Sequence, residues 1–155
     1  FSSGAMFLAV GMLTYRFRSR LIKDYGGIAT RMPLLASFFM LFAMSNVGLP
    51  GTSGFVGEFM IILSAMQASF WITTIAASTL ILSTSYTLYL YKRVFFGEIT
   101  NPLVEASGDI HGFEKLVFIL LALAIILLGV YPAPLLTIMH TSIDSILHWS
   151  LQTKL

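Results

Sequence analysis

Gly48-Leu49-Pro50-Gly51-Thr52-Ser53-Gly54-Phe55-Val56-Gly57-Glu58 decides how this chain is read. From Pro33 to Tyr91 there is no Asp, Lys, Arg or His, and Glu58 is the only formal charge. Ionisable groups inside long apolar runs are rare and mark ion or proton paths. Just before Glu58, four glycines and a proline interrupt the helical pattern. Pro50 removes a backbone donor, and glycine adopts conformations other residues avoid. Irregular backbone at membrane depth survives only where it lines a cavity or is buried in protein. A broken helix with a charge beside the break is the arrangement of transporter binding sites. Gly48, Pro50, Gly51, Thr52, Ser53 and Gly54 are therefore the expected break. The second half-helix is expected to start near Thr52 or Ser53, with Gly48 to Gly54 irregular and regular helix by about Phe55.

The totals place this stretch in a bilayer. Of 155 residues, 57% are hydrophobic and 10% charged, with mean hydropathy +0.87. Soluble domains carry about 25% charged residues. The fold class is all-α and integral to a membrane, with the lipid bilayer as a partner. There is no Cys, which excludes disulfides and thiolate metal sites. The opening Phe1-Ser2-Ser3-Gly4 carries no basic n-region. No signal peptide is expected, and the chain is expected to continue a helix begun upstream in a longer polypeptide.

Residues 1–17 hold too short an apolar run to span, since a span needs roughly 20 residues. They read as the end of a helix. Arg16, Arg18, Arg20, Lys23 and Arg31 follow in a basic loop. Tyr15 and Tyr25 suit the headgroup level there. Residues 33–70 would make a straight helix of about 57 Å, far beyond a core of about 30 Å. Either the run crosses once with a broken middle, or it turns as a hairpin at the glycines. A single crossing puts the loops at 16–31 and 92–115 on one side. Together those loops hold eight of the nine Lys and Arg. The positive-inside rule favours that arrangement.

A third span, 71–91, has Trp71 at one end and the belt candidates Tyr89 and Tyr91 at the other. Its eight Ser and Thr residues are expected to bond between helices. Residues 96–112 form a mixed loop with turn signals Asn101-Pro102 and Ser107-Gly108. Its Glu98, Glu105, Asp109 and His111 read as solvated surface. A last span runs over 113–131 and ends at Pro132-Ala133-Pro134. Residues 135–151 form an amphipathic helix, with His140, Asp144 and His148 on its polar face. That stripe lacks the further ligands of a metal site and is read as the polar side of an interfacial helix.

No nucleophile–base pair, phosphate loop, haem-type His pair or dinucleotide fingerprint is present. What remains is one carboxylate. Burial disfavours the charged form of Glu58, whereas the positive end of the second half-helix favours it. A group held between such pulls can exchange a proton near neutral pH. Glu58 is therefore the candidate proton relay, with the alternative of a structural Glu held by one basic partner. No other charge lies within the spans, so partners must come from elsewhere.

Asp24-Tyr25-Gly26-Gly27, Met32-Pro33-Leu34, Gly48 through Phe59, and Tyr91-Lys92-Arg93-Val94-Phe95-Phe96-Gly97 resemble one family. It is the M-type antiporter-like subunit of proton-pumping NADH:quinone oxidoreductase, respiratory complex I. The resemblance covers nearly the whole chain. It implies the end of a fourteen-helix fold of two inverted five-helix repeats, with 33–70 as the second broken helix, helix twelve. It matches Glu58 to the family's glutamate in the outer half of the proton route. Related L-type and N-type subunits and sodium/proton antiporters carry Lys there, so Glu points to the M type. The family's glutamate–lysine pair and central lysine belong to earlier helices. The resemblance implies no cofactor on this chain; NADH, FMN, iron–sulfur clusters and quinone belong to the complex as a whole. It implies other membrane subunits and the upstream polypeptide as partners, no nucleic acid, and a bacterial or mitochondrial inner membrane. It implies an oxidoreductase complex with no redox or catalytic site on this chain. Alternatives are a monovalent cation/proton antiporter subunit, an energy-converting hydrogenase subunit, or a structural membrane fragment.

Overall fold

The computed structural model describes residues 1–99, 101–139 and 143. Among these there are helices and no strands. The long elements are α1 (Ser2–Phe17), α3 (Pro33–Asn46), α4 (Ser53–Ala68), α5 (Phe70–Phe95) and α7 (Gly112–Val130). The short elements are a 3-10 turn at Ile22–Asp24, α2 (Ile28–Arg31) and α6 (Pro102–Ala106). Residues 133–139 are also helical. The rest of the expected amphipathic helix, with His140, Asp144 and His148, lies outside the described residues.

The core is built around α3, which α1, α5 and α7 all touch. Ala5, Ala9, Leu13 and Phe17 form the buried stripe of α1. Helix α1 packs on α3, whose buried apolar residues are Leu35, Ala36, Phe39, Phe42 and Ala43. Small residues on this stripe let the two backbones approach closely. Ser2 Oγ meets Ser45 Oγ at 2.6 Å, and Ser3 Oγ donates to Asn46 Oδ1 at 2.9 Å. The start of α1 thus lies beside the end of α3, and the two helices are antiparallel. Helix α5 returns alongside α3: Tyr91 and Phe95 stack on Phe39, and Tyr91 Oη donates to the Ala36 carbonyl at 3.1 Å. Helix α7 runs parallel to α3, with Phe118 stacked on Phe38 and Gly129 reaching the break.

Helix α3 starts at Pro33, where a missing N–H costs nothing. Its next two N–H groups are accepted by the Asp109 carboxylate, from Leu34 at 2.7 Å and Leu35 at 3.2 Å. Asp109 was expected to be solvated surface; it is a helix cap reaching across the fold. Glu114 likewise pairs with Arg16 at 2.5 Å, and Glu105 with Arg31 at 3.6 Å. The two basic loops are therefore in contact. Gly26 also lies directly against the Glu98 carbonyl.

The run 33–70 is broken, and its halves continue in one direction. Gly54 packs on Ser45, and Glu58 packs on Gly48. Sequence positions on the two sides of the break advance together, whereas a hairpin would make them run against each other. The 14 and 16 residues of α3 and α4 are about 21 and 24 Å long, each short of a 30 Å core alone. Helix α5, with 26 residues, is about 39 Å long and flanks both halves. Among the described residues, α7 is the one helix that is alone long and apolar enough to cross a membrane.

Three expectations need correcting. Tyr91 is not a belt residue; it is buried, with its hydroxyl bonded inside the core. Asn101-Pro102 is not a turn but the start of α6, with the Asn101 side chain accepting from the Leu103 N–H at 2.9 Å. The Ser and Thr hydroxyls of α5 make no bonds between helices among the described residues. Thr73, Thr74, Ser78, Thr79, Thr84 and Ser85 donate to carbonyls three or four residues back on their own helix. In an apolar setting the nearest acceptor is that carbonyl.

Single cysteines at Lys23 and Glu98 should react with a membrane-impermeant thiol reagent from the same side. A cysteine at Trp71 should react from the other. Opposite-side reaction of Lys23→Cys and Glu98→Cys in oriented vesicles would contradict the shared loop surface.

Candidate functional site

The break resolves into two local devices. The first ends α3. Gly48 N–H bonds to the Ser45 carbonyl at 3.3 Å, and Leu49 N–H reaches back to Met44 at 3.0 Å. Gly48 has φ +86°. This pair of bonds around a left-handed glycine is a Schellman cap, which satisfies carbonyls the helix end would leave bare. The second device is a β-turn, Leu49-Pro50-Gly51-Thr52, closed by Thr52 N–H to the Leu49 carbonyl at 3.1 Å. Pro50 is its second residue and Gly51, at φ +88°, its third. A type II turn favours Pro and requires a positive φ at those positions. Thr52 then takes extended backbone, and α4 begins at Ser53. The Thr52 hydroxyl bonds back to Leu49 at 2.7 Å and does not cap α4 forward.

Two site expectations change. Ser53 and Gly54 are helical, because the turn closes at Thr52 and leaves nothing irregular after it. Glu58 is the sixth residue of α4, beyond the first turn where the helix end acts strongly. The favourable pull expected from that end is therefore weak.

The Glu58 carboxylate is enclosed on one side. Its Oε2 lies against Gly48 and has no hydrogen-bond partner among the described residues. Any side chain at position 48 would strike it. Neither recorded ion pair involves Glu58. Buried polar atoms without partners are few in folded proteins, and each calls for a physical reason. Glu58 also borders an open cavity of about 440 Å³ whose lining includes Ser2, Ser3, Ser45, Asn46, Ser53 and Gly57, with Leu128 of α7 and Leu135, Leu136 and Met139. At about 30 Å³ per water the space holds several. Glu58 lies ten residues from the end of α4, about 15 Å along the axis and half of a 30 Å core.

Three glycines make this packing, and only two were legible beforehand. Gly54 rests on the Ser45 carbonyl with no room for a Cβ. Gly129 of α7 rests on Thr52 and the Gly51 carbonyl in the same way. Gly129 was missed; its signal is a lone glycine inside Ile125-Ile126-Leu127-Leu128-Gly129-Val130. Ser2 and Ser45 were also missed, since their pairing joins residues 43 apart. No group of three or more His, Cys, Asp or Glu stands together to hold a metal among the described residues.

A broken transmembrane helix with an enclosed carboxylate beside the break, packed between unbroken helices, defines an antiporter-like membrane module. Residues 1–84 match the family described as NADH:quinone oxidoreductase/Mrp antiporter, TM, and the chain belongs to that transmembrane family. It is 48% identical over 133 residues to NADH-quinone oxidoreductase subunit M of Rhodobacter capsulatus, covering 86% of this chain and 26% of that protein. It is 40% identical over 144 residues to NADH-ubiquinone oxidoreductase chain 4 of Marchantia polymorpha, covering 93% and 29%. The fold superposes with a TM-score of 0.74 on a chain of respiratory complex I from Thermus thermophilus with bound NADH. That match has 35% identity and covers 84% of this chain and 27% of the other. A chain of the Mrp complex from Dietzia sp. DQ12-45-1b shares the fold at TM-score 0.73 and 22% identity, covering 87% and 33%. This chain therefore spans between about a quarter and a third of the length of these relatives.

The glycines separate by what a methyl would meet. Gly57 has open space where a Cβ would project, so Gly57→Ala should be neutral or slightly stabilising, as Ala is favoured over Gly in helices. Gly54→Ala and Gly129→Ala should each destabilise by about 1–3 kcal/mol, because backbone must move. Thermal unfolding of the detergent-solubilised protein checks this; equal tolerance at 54 and 57 would contradict the packing.

Proposed function

We propose that this chain is the C-terminal part of a proton-translocating M-type membrane subunit of NADH:quinone oxidoreductase, with Glu58 as its intramembrane proton relay. The observation that carries this is Glu58 itself. It is the sole formal charge between Pro33 and Tyr91. It sits beside a capped helix break, with one oxygen enclosed and the cavity alongside. The names of the relatives support the same reading. The partners are then other membrane subunits and the upstream part of the polypeptide, in a bacterial or mitochondrial inner membrane. The redox chemistry of NADH, FMN, iron–sulfur clusters and quinone takes place in other subunits. This chain contributes no electron carrier.

The relay works by electrostatics. The Glu58 carboxylate has no counter-ion among the described residues, so its protonation follows the charge brought near it. A cation approaching through the cavity draws the proton off to water; when the cation withdraws, a proton returns from water to the carboxylate. Gly48 and the Schellman cap hold Oε2 in place while this happens. The polar groups of Ser2, Ser3, Ser45 and Asn46 offer donors and acceptors along the route into the cavity. A second reading is a subunit of a monovalent cation/proton antiporter. The shared fold with the Mrp complex chain supports it; Glu at position 58, where the resemblance gives antiporters Lys, favours the first.

Glu58→Gln keeps shape and hydrogen-bonding capacity but carries no titratable proton. Protons translocated per NADH oxidised, measured in membrane vesicles, should fall several-fold at normal abundance of the complex. Glu58→Asp should retain part of the activity. Full pumping by Glu58→Gln would reduce Glu58 to a structural residue.

A further inference from the structure

Most helix hydroxyls in this chain end on their own backbone. Thr14, Ser37, Ser64 and Thr137 each donate to the carbonyl four residues back. Six hydroxyls of α5 bond back in the same manner. The proton of such a hydroxyl has one fixed acceptor. Ser45 is different. It is buried within α3, with the Leu41 carbonyl one turn back, yet its bond among the described residues is to Ser2 Oγ at 2.6 Å. Ser2 is buried too, and either hydroxyl can be the donor. The neighbouring bond between the same two helices has a single sense. Ser3 donates to Asn46 Oδ1 at 2.9 Å, and an amide oxygen can only accept.

Ser2, Ser45 and Glu58 line the same cavity. Gly54 and Glu58 share the face of α4 that packs on α3: a methyl at Gly54 would stand 3.7 Å from Ser45 Oγ, and Glu58 Oε2 lies against Gly48. The four residues from Gly54 to Glu58 advance about 6 Å along the helix axis. Two hydrogen bonds of about 2.8 Å, meeting at one water, cover that distance.

We propose that the Ser2–Ser45 pair is the reversible hydrogen-bonded link through which protons reach and leave Glu58, a positioning role that rests on the relay reading of Glu58 and adds the residues that set its rate. A proton passes along the chain by concerted hops. Water gives a proton to Ser2, Ser2 gives its own to Ser45, Ser45 gives its own to the next water, and that water protonates the carboxylate. Each O–H bond broken is matched by one formed, and neither serine ends charged. Every donor then points away from Glu58. The chain must turn before it carries a second proton in the same sense. Two hydroxyls bonded only to each other can turn; an amide, or a hydroxyl held by its own helix, cannot.

The test uses the intact complex in membrane vesicles, with proton translocation and NADH oxidation followed together in water and in heavy water. Ser45→Ala removes the hydroxyl with little change of volume. Its rate of proton translocation should fall about fivefold, less than the roughly hundredfold of a lost acid–base group, because cavity water substitutes in part. Protons per NADH should stay near the unaltered value, and the solvent isotope effect on turnover should rise as the hop becomes limiting. Ser2→Val and Ser2→Thr match in shape and differ in the hydroxyl. The first should behave as Ser45→Ala does, and the second should keep its rate. Lower abundance of Ser45→Ala with an unmoved isotope effect would make the pair a structural seam and overturn the proposal, as would equal rates for Ser2→Val and Ser2→Thr. If Glu58→Gln still lowers protons per NADH, either result removes this link and leaves the relay standing. Full pumping by Glu58→Gln removes both.

Discussion

Backbone polar groups in an apolar setting must find partners within the protein, and each unsatisfied one costs several kcal/mol. A helix broken between Asn46 and Ser53 exposes carbonyls at one end and N–H groups at the other. The six residues Val47 to Thr52 serve the carbonyl end by themselves, whereas the first N–H groups of α4 receive no side-chain cap. Gly48 closes a Schellman cap, Pro50 and Gly51 shape a turn, and Thr52 bonds back to Leu49 by both backbone and hydroxyl. Two positive φ angles are needed, and both fall on glycine. Where Glu58 points, which wall the cavity has, and how α7 seats all depend on this short interruption.

The same interruption couples three helices to one carboxylate. Gly48 gives Oε2 its seat, Gly54 brings α4 onto the end of α3, and Gly129 brings α7 onto the turn. At Gly54 and Gly129 the contact is against backbone, so a methyl has nowhere to go, and at Gly48 a methyl would displace the carboxylate. Ser2 of α1 adds a fourth helix through Ser45. The Glu58 carboxylate thus has one oxygen seated among close contacts and a cavity alongside. The proposed relay rests on this seat.

Much of this was legible in the sequence because the signals are local. Glycine and proline clustered before a lone Glu in a 59-residue uncharged setting announce a break and a site together. The basic residues on both sides of the run set its direction. Long-range partners were not legible. Asp109 caps a helix 75 residues away, and Ser2 meets Ser45 across two helices; nothing in the neighbouring sequence marks either. Gly129 carries only the faint sign of a glycine among branched residues. The expected start of α4 near Thr52 or Ser53 is met at Ser53, whereas the irregular stretch expected through Gly54 ends at Thr52, where the turn closes. Six Ser and Thr hydroxyls of α5 were assigned to neighbouring helices, although carbonyls three or four residues back accept them.

The central claim is that Glu58 changes protonation during turnover. Infrared difference spectroscopy on the intact complex, oxidised minus NADH-reduced, reads that directly through the carboxylic C=O stretch. A band that shifts in heavy water and disappears in Glu58→Gln is the predicted result. Difference spectra identical in the carboxylic region for the unaltered protein and Glu58→Gln would contradict the account.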